Sequence, residues 1–211
     1  MSGCVYQKET PLIIGLTGGI ASGKSTAAET LHSWGAYVID ADKLGHRAYL
    51  KDTAAFHAIV DTFGADTVGE DGEIDRRILG GKVFGQPEKL EALTQIVWPS
   101  IRTMAAQEIK LAQAQVPARV VVLEAAVLLE AGWQDLVDIL WVTVIEKNIA
   151  IKRATSRDGV DAAAVEARIN SQLSNAERTA KADVVIDNSG SLNELQKQLQ
   201  THWLKLEHKQ I

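Results

Sequence analysis

The segment from Leu12 to Thr26, LIIGLTGGIASGKST, constrains the fold of this chain more than any other. Gly18 is followed by four residues and then by Gly23-Lys24-Ser25, which is the spacing of a phosphate-binding loop. A short apolar run of strand type precedes the loop, and a helix is predicted from Thr26 to Trp34. The glycines let the backbone curl until several N–H groups face one anion, and the helix N-terminus adds its dipole. The segment therefore predicts a strand, a phosphate loop and a helix.

The loop also supplies the predicted nucleotide site. Lys24 is expected to contact the β- and γ-phosphates of ATP, and the Ser25 hydroxyl is expected to ligate Mg²⁺. The predicted ATP-binding residues of the loop are Gly18, Gly19, Ile20, Ala21, Ser22, Gly23, Lys24, Ser25 and Thr26.

Composition restricts the remaining possibilities. The formal net charge of −5 argues against a protein devoted to nucleic-acid backbones. Cys4 is the only cysteine, so no internal disulfide is expected and a reducing compartment is favoured. Residues 1–11 form a polar tail without a signal-peptide core, and no apolar run approaches membrane-spanning length. A cytoplasmic protein with neither a membrane nor a nucleic-acid partner is predicted.

The rest of the chain continues an α/β pattern with one interruption. Four more strands are predicted at Ala36–Asp40, Val120–Leu123, Asp138–Val144 and Ala182–Ile186, which gives a five-stranded parallel sheet. Residues 12–42 and 116–211 would form the nucleotide-binding core, and residues 43–115 a helical insertion that binds the substrate. Within the insertion, helices are predicted at Ala54–Phe63, Arg76–Phe84, Glu88–Val97 and from Pro99 to about Ala114.

Acidic side chains end two of the predicted strands. Ligands of open α/β sheets bind outside the carboxyl ends of the strands, so Asp40 and Asp42 are expected near the phosphate loop. Either could accept a proton from a substrate hydroxyl or help to hold Mg²⁺, or it could cap a helix starting at Leu44. Glu124, at the end of the third strand, could support Mg²⁺, although acids also end strands in proteins without a metal.

Cationic side chains form two further groups. The cations of the insertion either bind a phosphorylated acceptor or lie on a solvated helix face. They are Lys43, His46, Arg47, Arg76, Arg77, Lys82 and Arg102. Arg153 and Arg157 share one helix face and open a predicted lid at about 153–180. They could neutralise charge during phosphoryl transfer, or form a surface salt bridge with Asp158 or Asp161. Asn188 lies in a loop that could hold adenine.

These parts are typical of a small-molecule kinase, and a GTPase is disfavoured because no Asn-Lys-x-Asp segment occurs. The chain resembles the dephospho-CoA kinases from Ile13 to Leu206. The resemblance is carried by GLTGGIASGKST, VIDADKLGHRAY, DGEIDRRILGGKVF, VLEAAVLLEAGW, KRATSRDG and ADVVIDNSG. The variants LGHRAY, VWP and AAVLLEAGW are most similar to the kinase half of the bifunctional coenzyme A synthases. The adenylyltransferase half is not expected here, so a separate adenylyltransferase is a candidate partner.

The resemblance implies a P-loop kinase that transfers the ATP γ-phosphate to the ribose 3′-hydroxyl of dephospho-CoA, giving coenzyme A and ADP. It matches Asp42 to the catalytic base, Arg153 and Arg157 to the lid arginines, and Asn188 to the adenine-side loop. It also implies that ATP and Mg²⁺ bind at the loop. The insertion would receive dephospho-CoA, through Asp40, Lys43, His46, Arg47 and Arg76. A kinase of another nucleotide or metabolite, and a non-catalytic nucleotide-binding regulator, remain alternatives.

Three residues depart from the family pattern. Ala21 stands where the loop usually has glycine, which we interpret as a small change because alanine adds one methyl group. Glu124 stands where many members have aspartate, so its reach to Mg²⁺ is open. Trp98 replaces a histidine that often precedes Pro99, and contacts inferred for that histidine do not transfer.

Overall fold

The structure is a computed structural model and describes residues 11–115 and 120–208. These residues form an α/β fold. The strands are β1 (Leu12–Gly18), β2 (Tyr37–Asp40), β3 (Val120–Glu124), β4 (Ile139–Val144) and β5 (Val184–Asp187). The helices are α1 (Lys24–Ser33), α2 (Ala41–Ala48), α3 (Ala54–Phe63), α4 (Arg76–Val83), α5 (Pro87–Gln115), α6 (Lys147–Asp158), α7 (Ala162–Asn170), α8 (Asn175–Thr179) and α9 (Leu192–His208).

The strands form one five-stranded sheet in the order β2-β3-β1-β4-β5, and it is parallel throughout, which confirms the predicted sheet. The central strand β1 pairs with β3 on one side and with β4 on the other. After β1 the chain builds β2 and β3 on one side of it before crossing to β4 and β5. The loop that follows β1 therefore lies at the point where the strand order reverses, which is where open α/β sheets bind ligands.

The sheet is apolar because it is covered by helices. Every residue of β3 is buried, and Ile14 and Leu16 of β1 are fully buried. Helices α1 and α9 pack over one part of the sheet and contribute Leu31, Leu195 and other buried side chains to its core. Burial of each such leucine contributes about 1.5–3 kcal/mol of hydrophobic free energy, so this core holds α1 and α9 against the sheet.

The chain divides into two compact units. One runs up to Ile39 and resumes at Leu111, and it carries most of the sheet. The other covers Asp40–Lys110 and carries α2, α3, α4 and most of α5. The sequence places the insertion at 43–115, so the second unit starts slightly earlier and stops slightly earlier than that range.

Local capping explains the starts of the helices in the second unit. The Thr53 hydroxyl accepts a hydrogen bond from the backbone N–H of Phe56 at 3.1 Å, which starts α3. The Asp75 carboxylate accepts bonds from the backbone N–H groups of Arg77 and Ile78, which starts α4. The sequence predicts this cap as well, because Asp75 directly precedes the predicted helix Arg76–Phe84, and the structure confirms it. Each cap satisfies backbone donors that the first helical turn leaves without partners.

The predicted break before Pro99 is wrong, because α5 is one helix of 29 residues with Pro99 inside it. Proline removes one backbone donor and is costly in a helix interior. Val97, Ile101, Ala105 and Ile109 follow one another at helical spacing around it, and all four are buried. Their burial outweighs the lost hydrogen bond, and local sequence rules do not include that contribution.

Other boundaries differ by a few residues for identifiable reasons. Helix α2 starts at Ala41, three residues before the predicted start, because Asp40 caps it. The sequence also predicts a helix from about Asp161 to Leu173, whereas α7 ends at Asn170 and a short helix α8 follows it. Strand β5 starts at Val184, since the Asp183 carboxylate accepts a hydrogen bond from the Leu140 N–H at 2.7 Å. Across the described ranges, no helix is both long and apolar enough to cross a membrane.

Candidate active site

The loop between β1 and α1 has the backbone of an anion site. The Ser22 N–H donates to the Gly19 carbonyl at 3.1 Å and closes the turn. Gly23 has φ 86° and ψ 18°, a left-handed conformation, and it precedes the first residue of α1. Among residues 11–115 and 120–208, nothing accepts a hydrogen bond from the N–H of Ala21 or Gly23. These donors, with the helix N-terminus, suit a bound phosphate.

Two glycines of the loop are enclosed by side chains from the ends of β4 and β5. A Cβ atom on Gly18 would overlap the Thr143 hydroxyl and lie 2.6 Å from the Thr143 carbonyl oxygen. A Cβ atom on Gly23 would overlap the amide nitrogen of Asn188. Gly18 and Gly23 are therefore required by close packing, and Gly23 also by its positive φ.

Asn188 contacts the loop with its side chain. It is 6% exposed, and its Nδ2 donates to the Ser22 carbonyl at 3.0 Å. Its own backbone N–H donates to the Val144 carbonyl at 2.9 Å, which fixes it beside the end of β4. Sequence reasoning assigns Asn188 to adenine, and that contact stays a prediction. The structure adds that the Asn188 amide positions the phosphate loop.

The structure brings together three of the predicted residues: Lys24, Ser25 and Glu124. The Lys24 ammonium donates to Glu124 Oε1 at 2.8 Å, and the Ser25 hydroxyl donates to the same oxygen at 2.9 Å. The Lys24 and Glu124 side chains are 12% and 7% exposed, so a nearly buried carboxylate is balanced by a nearly buried cation. This cluster places one positive charge and two oxygen ligands at the start of α1.

Strand pairing explains why Glu124 reaches this position. Its register partner in β1 is Leu16, and the next N–H of the chain, that of Ala125, donates to the Leu16 carbonyl at 3.0 Å. The side chain of glutamate is long enough to meet the Ser25 hydroxyl from there. Among the described residues no group of three His, Cys, Asp or Glu side chains could hold a metal. Mg²⁺ bound with nucleotide phosphates needs only one or two carboxylates, so Ser25 and Glu124 fit that ion.

The two predicted lid arginines point to different partners. Arg153 donates to the backbone carbonyls of Asn188 and Gly190 at 2.9 and 3.0 Å. Arg157 forms two hydrogen bonds with the adjacent Asp158, at 2.6 and 2.8 Å. These bonds hold the pKa of Asp158 below its ordinary value and raise the pKa of Arg157. Arg157 thus forms the surface pair that the sequence left as an alternative, while Arg153 is tied to the loop that carries Asn188.

In the second unit, helix α2 carries Asp42 and several of the predicted acceptor-binding cations, and Asp40 is its N-cap. Asp40 accepts a hydrogen bond from the Lys43 N–H at 3.0 Å and pairs with the Lys43 ammonium at 3.1 Å. Asp42 is exposed in the first turn of α2. Lys43, His46 and Arg47 are exposed and share one face of the helix.

Arg47 and Arg76 have partners within the second unit. Arg47 donates to Glu108 at 2.7 Å. The Arg76 guanidinium lies 5.9 Å from the centre of the Tyr49 ring, a cation–π distance. Both arginines are exposed, so these contacts leave part of each guanidinium open to a phosphorylated ligand.

Comparison with known proteins identifies the family of this chain. The family profile described as dephospho-CoA kinase matches residues 12–194. A dephospho-CoA kinase of Geobacter sulfurreducens is 41% identical over 196 residues, which are 92% of this chain and 98% of that protein. The chain belongs to the dephospho-CoA kinase family.

Solved structures support the family assignment. A crystal structure of a Thermus thermophilus protein has a TM-score of 0.78 and 33% identity, and the match covers 94% of this chain and 99% of that one. The dephospho-CoA kinase of Campylobacter jejuni has a TM-score of 0.63 and 25% identity, with coverage of 93% and 98%. The predicted resemblance and the P-loop kinase fold are thereby confirmed.

Sequence reasoning missed two residues of the candidate active site, Thr143 and Gln172. Thr143 hydrogen-bonds Ser22 Oγ through its hydroxyl at 2.7 Å, and Gln172 accepts a hydrogen bond from the Ile20 N–H at 3.1 Å. Thr143 could have been found, because it ends a strand next to β1 and must lie at the same edge of the sheet. Gln172 follows α7 without any motif, and its distance of 152 positions from Ile20 leaves no local signal.

The interpretation of Ala21 as a small departure needs correction, because Ala21 has φ 57°. A non-glycine residue in this left-handed region costs about 1–2 kcal/mol. Glycine would relieve that cost, although it increases the entropy of the unfolded chain by about 0.4–1 kcal/mol. The usual glycine therefore has a backbone reason that sequence alone does not show.

Replacing Ala21 with glycine is expected to increase the free energy of unfolding by about 0.5–1 kcal/mol, the difference between these two contributions. Denaturant unfolding followed by circular dichroism would measure it. Ala58→Gly within α3 is the matched control and should decrease stability by about 0.5–1 kcal/mol, because its φ is helical. Equal destabilisation by both substitutions would contradict the proposed strain at Ala21.

Proposed function

We propose that this chain transfers the γ-phosphate of ATP to the ribose 3′-hydroxyl of dephospho-CoA, giving coenzyme A and ADP. The observation that carries this proposal is the cluster of Lys24, Ser25 and Glu124 at the phosphate loop of a chain in the dephospho-CoA kinase family. A kinase needs a fixed cation, oxygen ligands and backbone donors around the phosphates, and this loop supplies all three.

ATP would bind with its phosphates on residues 18–26. Lys24 would exchange its bond to Glu124 for bonds to the β- and γ-phosphates. Ser25 and Glu124 would hold Mg²⁺, which supplies positive charge to the phosphate oxygens when it is bound. Asn188 would keep the loop in place through Ser22 while the neighbouring backbone meets the adenine.

Asp42 is the proposed base. The ribose 3′-hydroxyl oxygen forms a bond to the γ-phosphorus, the bond from that phosphorus to the β,γ-bridging oxygen breaks, and ADP leaves. The hydroxyl proton passes to the Asp42 carboxylate, which is solvent-exposed in the first turn of α2. Asp40 caps the same helix and would hold Asp42 in position.

Cationic groups would hold the remaining charges of the two substrates. Lys43, His46 and Arg47 share one face of α2 and, together with Arg76, would bind the phosphates of dephospho-CoA. Arg153 is hydrogen-bonded to the loop that carries Asn188, and from there its positive charge would stabilise the bound nucleotide. Arg157 would have to leave Asp158 to reach a phosphate, and solvent screening makes such an exposed pair weak.

The cellular setting follows from the reaction. Both substrates are soluble metabolites, so we place the reaction in the cytoplasm. Dephospho-CoA is itself an adenylylated product, and a separate adenylyltransferase would supply it, as a free enzyme or as a partner.

An assay of ADP release with Mg-ATP tests the function. Dephospho-CoA, AMP, adenosine and no acceptor would be compared, with the mass of the product measured. Turnover only with dephospho-CoA, together with a product heavier by one phosphate, is expected. Turnover with AMP or adenosine alone would favour a kinase of another nucleotide. Binding of Mg-ATP without transfer to any acceptor would favour a non-catalytic regulator.

A further inference from the structure

Gln172 bonds the phosphate loop from outside it. Its Oε1 accepts a hydrogen bond from the Ile20 N–H at 3.1 Å, and the same oxygen would lie 3.6 Å from a Cβ atom built on Gly19. The amide therefore contacts the first half of the loop, at Gly19 and Ile20. This half precedes α1, whereas Lys24 and Ser25 belong to the first turn of that helix.

The segment that carries Gln172 is firmly held. Arg178 is fully buried and donates to the Leu173 carbonyl at 3.1 Å and to Glu130 at 2.7 Å. Asn175 donates to the Ile145 carbonyl at 2.8 Å, which ties the start of α8 to the end of β4. Gln172 is thus followed by residues that hydrogen-bond to the chain beyond β3, at Glu130, and beyond β4, at Ile145, although it lies within the predicted lid range.

The orientation of the amide follows from its partner. Ile20 offers an N–H donor, so the atom facing it must be the oxygen, and the NH₂ group occupies the other side of the same planar amide. That nitrogen has no hydrogen-bond acceptor within the described parts of the chain. Gln172 therefore presents two donors immediately beside the phosphate cradle.

We propose that Gln172 is a further phosphate-binding residue of this site. Its Oε1 anchors on Ile20, and its Nε2 donates a hydrogen bond to a phosphate oxygen of the bound nucleotide. The inference rests on the proposed function, since it assumes that the loop binds a nucleoside triphosphate. Gln172 would add a neutral hydrogen-bond donor beside the first half of the loop, away from Lys24.

Direct binding of Mg-ATP tests the inference independently of the acceptor. Titration calorimetry at pH 8 would compare wild type, Gln172→Ala, Gln172→Glu and the control Gln196→Glu. The Ala variant loses a hydrogen bond to a charged group, so its dissociation constant should rise roughly tenfold or more. The Glu variant keeps an oxygen for Ile20 but faces the phosphates with a negative charge, so its loss should be larger still. Gln196 is exposed on α9, and its variant should bind as wild type does.

The order of the two Gln172 variants decides between a donor and a mere anchor. Weaker binding of Mg-ATP by Gln172→Glu than by Gln172→Ala supports a role of the Gln172 amide as a hydrogen-bond donor. If Gln172→Glu binds Mg-ATP nearly as tightly as wild type does and Gln172→Ala binds it more weakly, the proposal is overturned, because only the side-chain oxygen would then contribute. Adenosine has no phosphate, so its binding should not change in the Ala variant, and an equal loss there would also overturn the proposal. If wild type binds Mg-ATP but does not phosphorylate dephospho-CoA, the proposed function fails while this test stands.

Discussion

Replacing Lys24 with alanine is expected to lower kcat/KM for Mg-ATP by at least about 10²–10³-fold, the loss typical of removing one preorganised charge-stabilising group. The Lys24 ammonium lies 2.8 Å from Glu124 beside the first turn of α1, and no other cation of the loop could replace it. Steady-state kinetics with dephospho-CoA would measure the effect. Lys89→Ala removes an exposed lysine of α5 and should leave kcat/KM unchanged. Unchanged activity of Lys24→Ala would remove the loop from the mechanism.

The same substitution should also affect stability, because it leaves a carboxylate with 7% exposure without its cation. We expect the free energy of unfolding to fall by roughly 2–4 kcal/mol, somewhat less than for fully buried pairs. The double variant Lys24→Ala/Glu124→Gln should recover much of this loss without recovering turnover. Such a result would separate the structural effect of Lys24 from its chemical effect.

Replacing Asp42 with asparagine is expected to lower kcat by about 10²–10⁴-fold, the usual contribution of a positioned base. Asparagine has nearly the same shape and cannot accept the proton, so the KM for ATP should change little. Pre-steady-state measurement of ADP formation would isolate the chemical step. Asp61→Asn, on the exposed side of α3, is the matched control and should be fully active. Loss of ATP affinity alone would make Asp42 a metal-side residue.

The sequence predicted the parts of the fold that depend on local pattern. The phosphate loop, the apolar strands and the cap at Asp75 each depend on residues within a few positions of one another. The course of α5 through Pro99 could not be predicted in this way. It depends on burial of Val97, Ile101 and Ala105, which is a tertiary effect.

The candidate site shows the same division. The phosphate-loop motif predicts Lys24 and Ser25, and the position of Glu124 at a strand end predicts its place in the site. The contacts of Asn188 with Ser22 and of Gln172 with Ile20 join residues 166 and 152 positions apart. Helix periodicity places Arg153 and Arg157 on one face, and the sequence therefore predicts a common role for them. Periodicity does not determine rotamers, and the adjacent Asp158 attracts the Arg157 side chain away from Arg153.

The packing around Gly18 and Gly23 separates two kinds of constraint on how this loop can evolve. Thr143 and Asn188 occupy the space that any larger residue at these positions would need, with or without a nucleotide. A descendant that no longer transferred phosphate would still lose stability if either glycine were replaced, because Thr143 or Asn188 would have to shift. Asp42, exposed in the first turn of α2, would be released from selection and could drift. In a relative that has lost kinase activity, we therefore expect Asp42 to be substituted while Gly18 and Gly23 are retained.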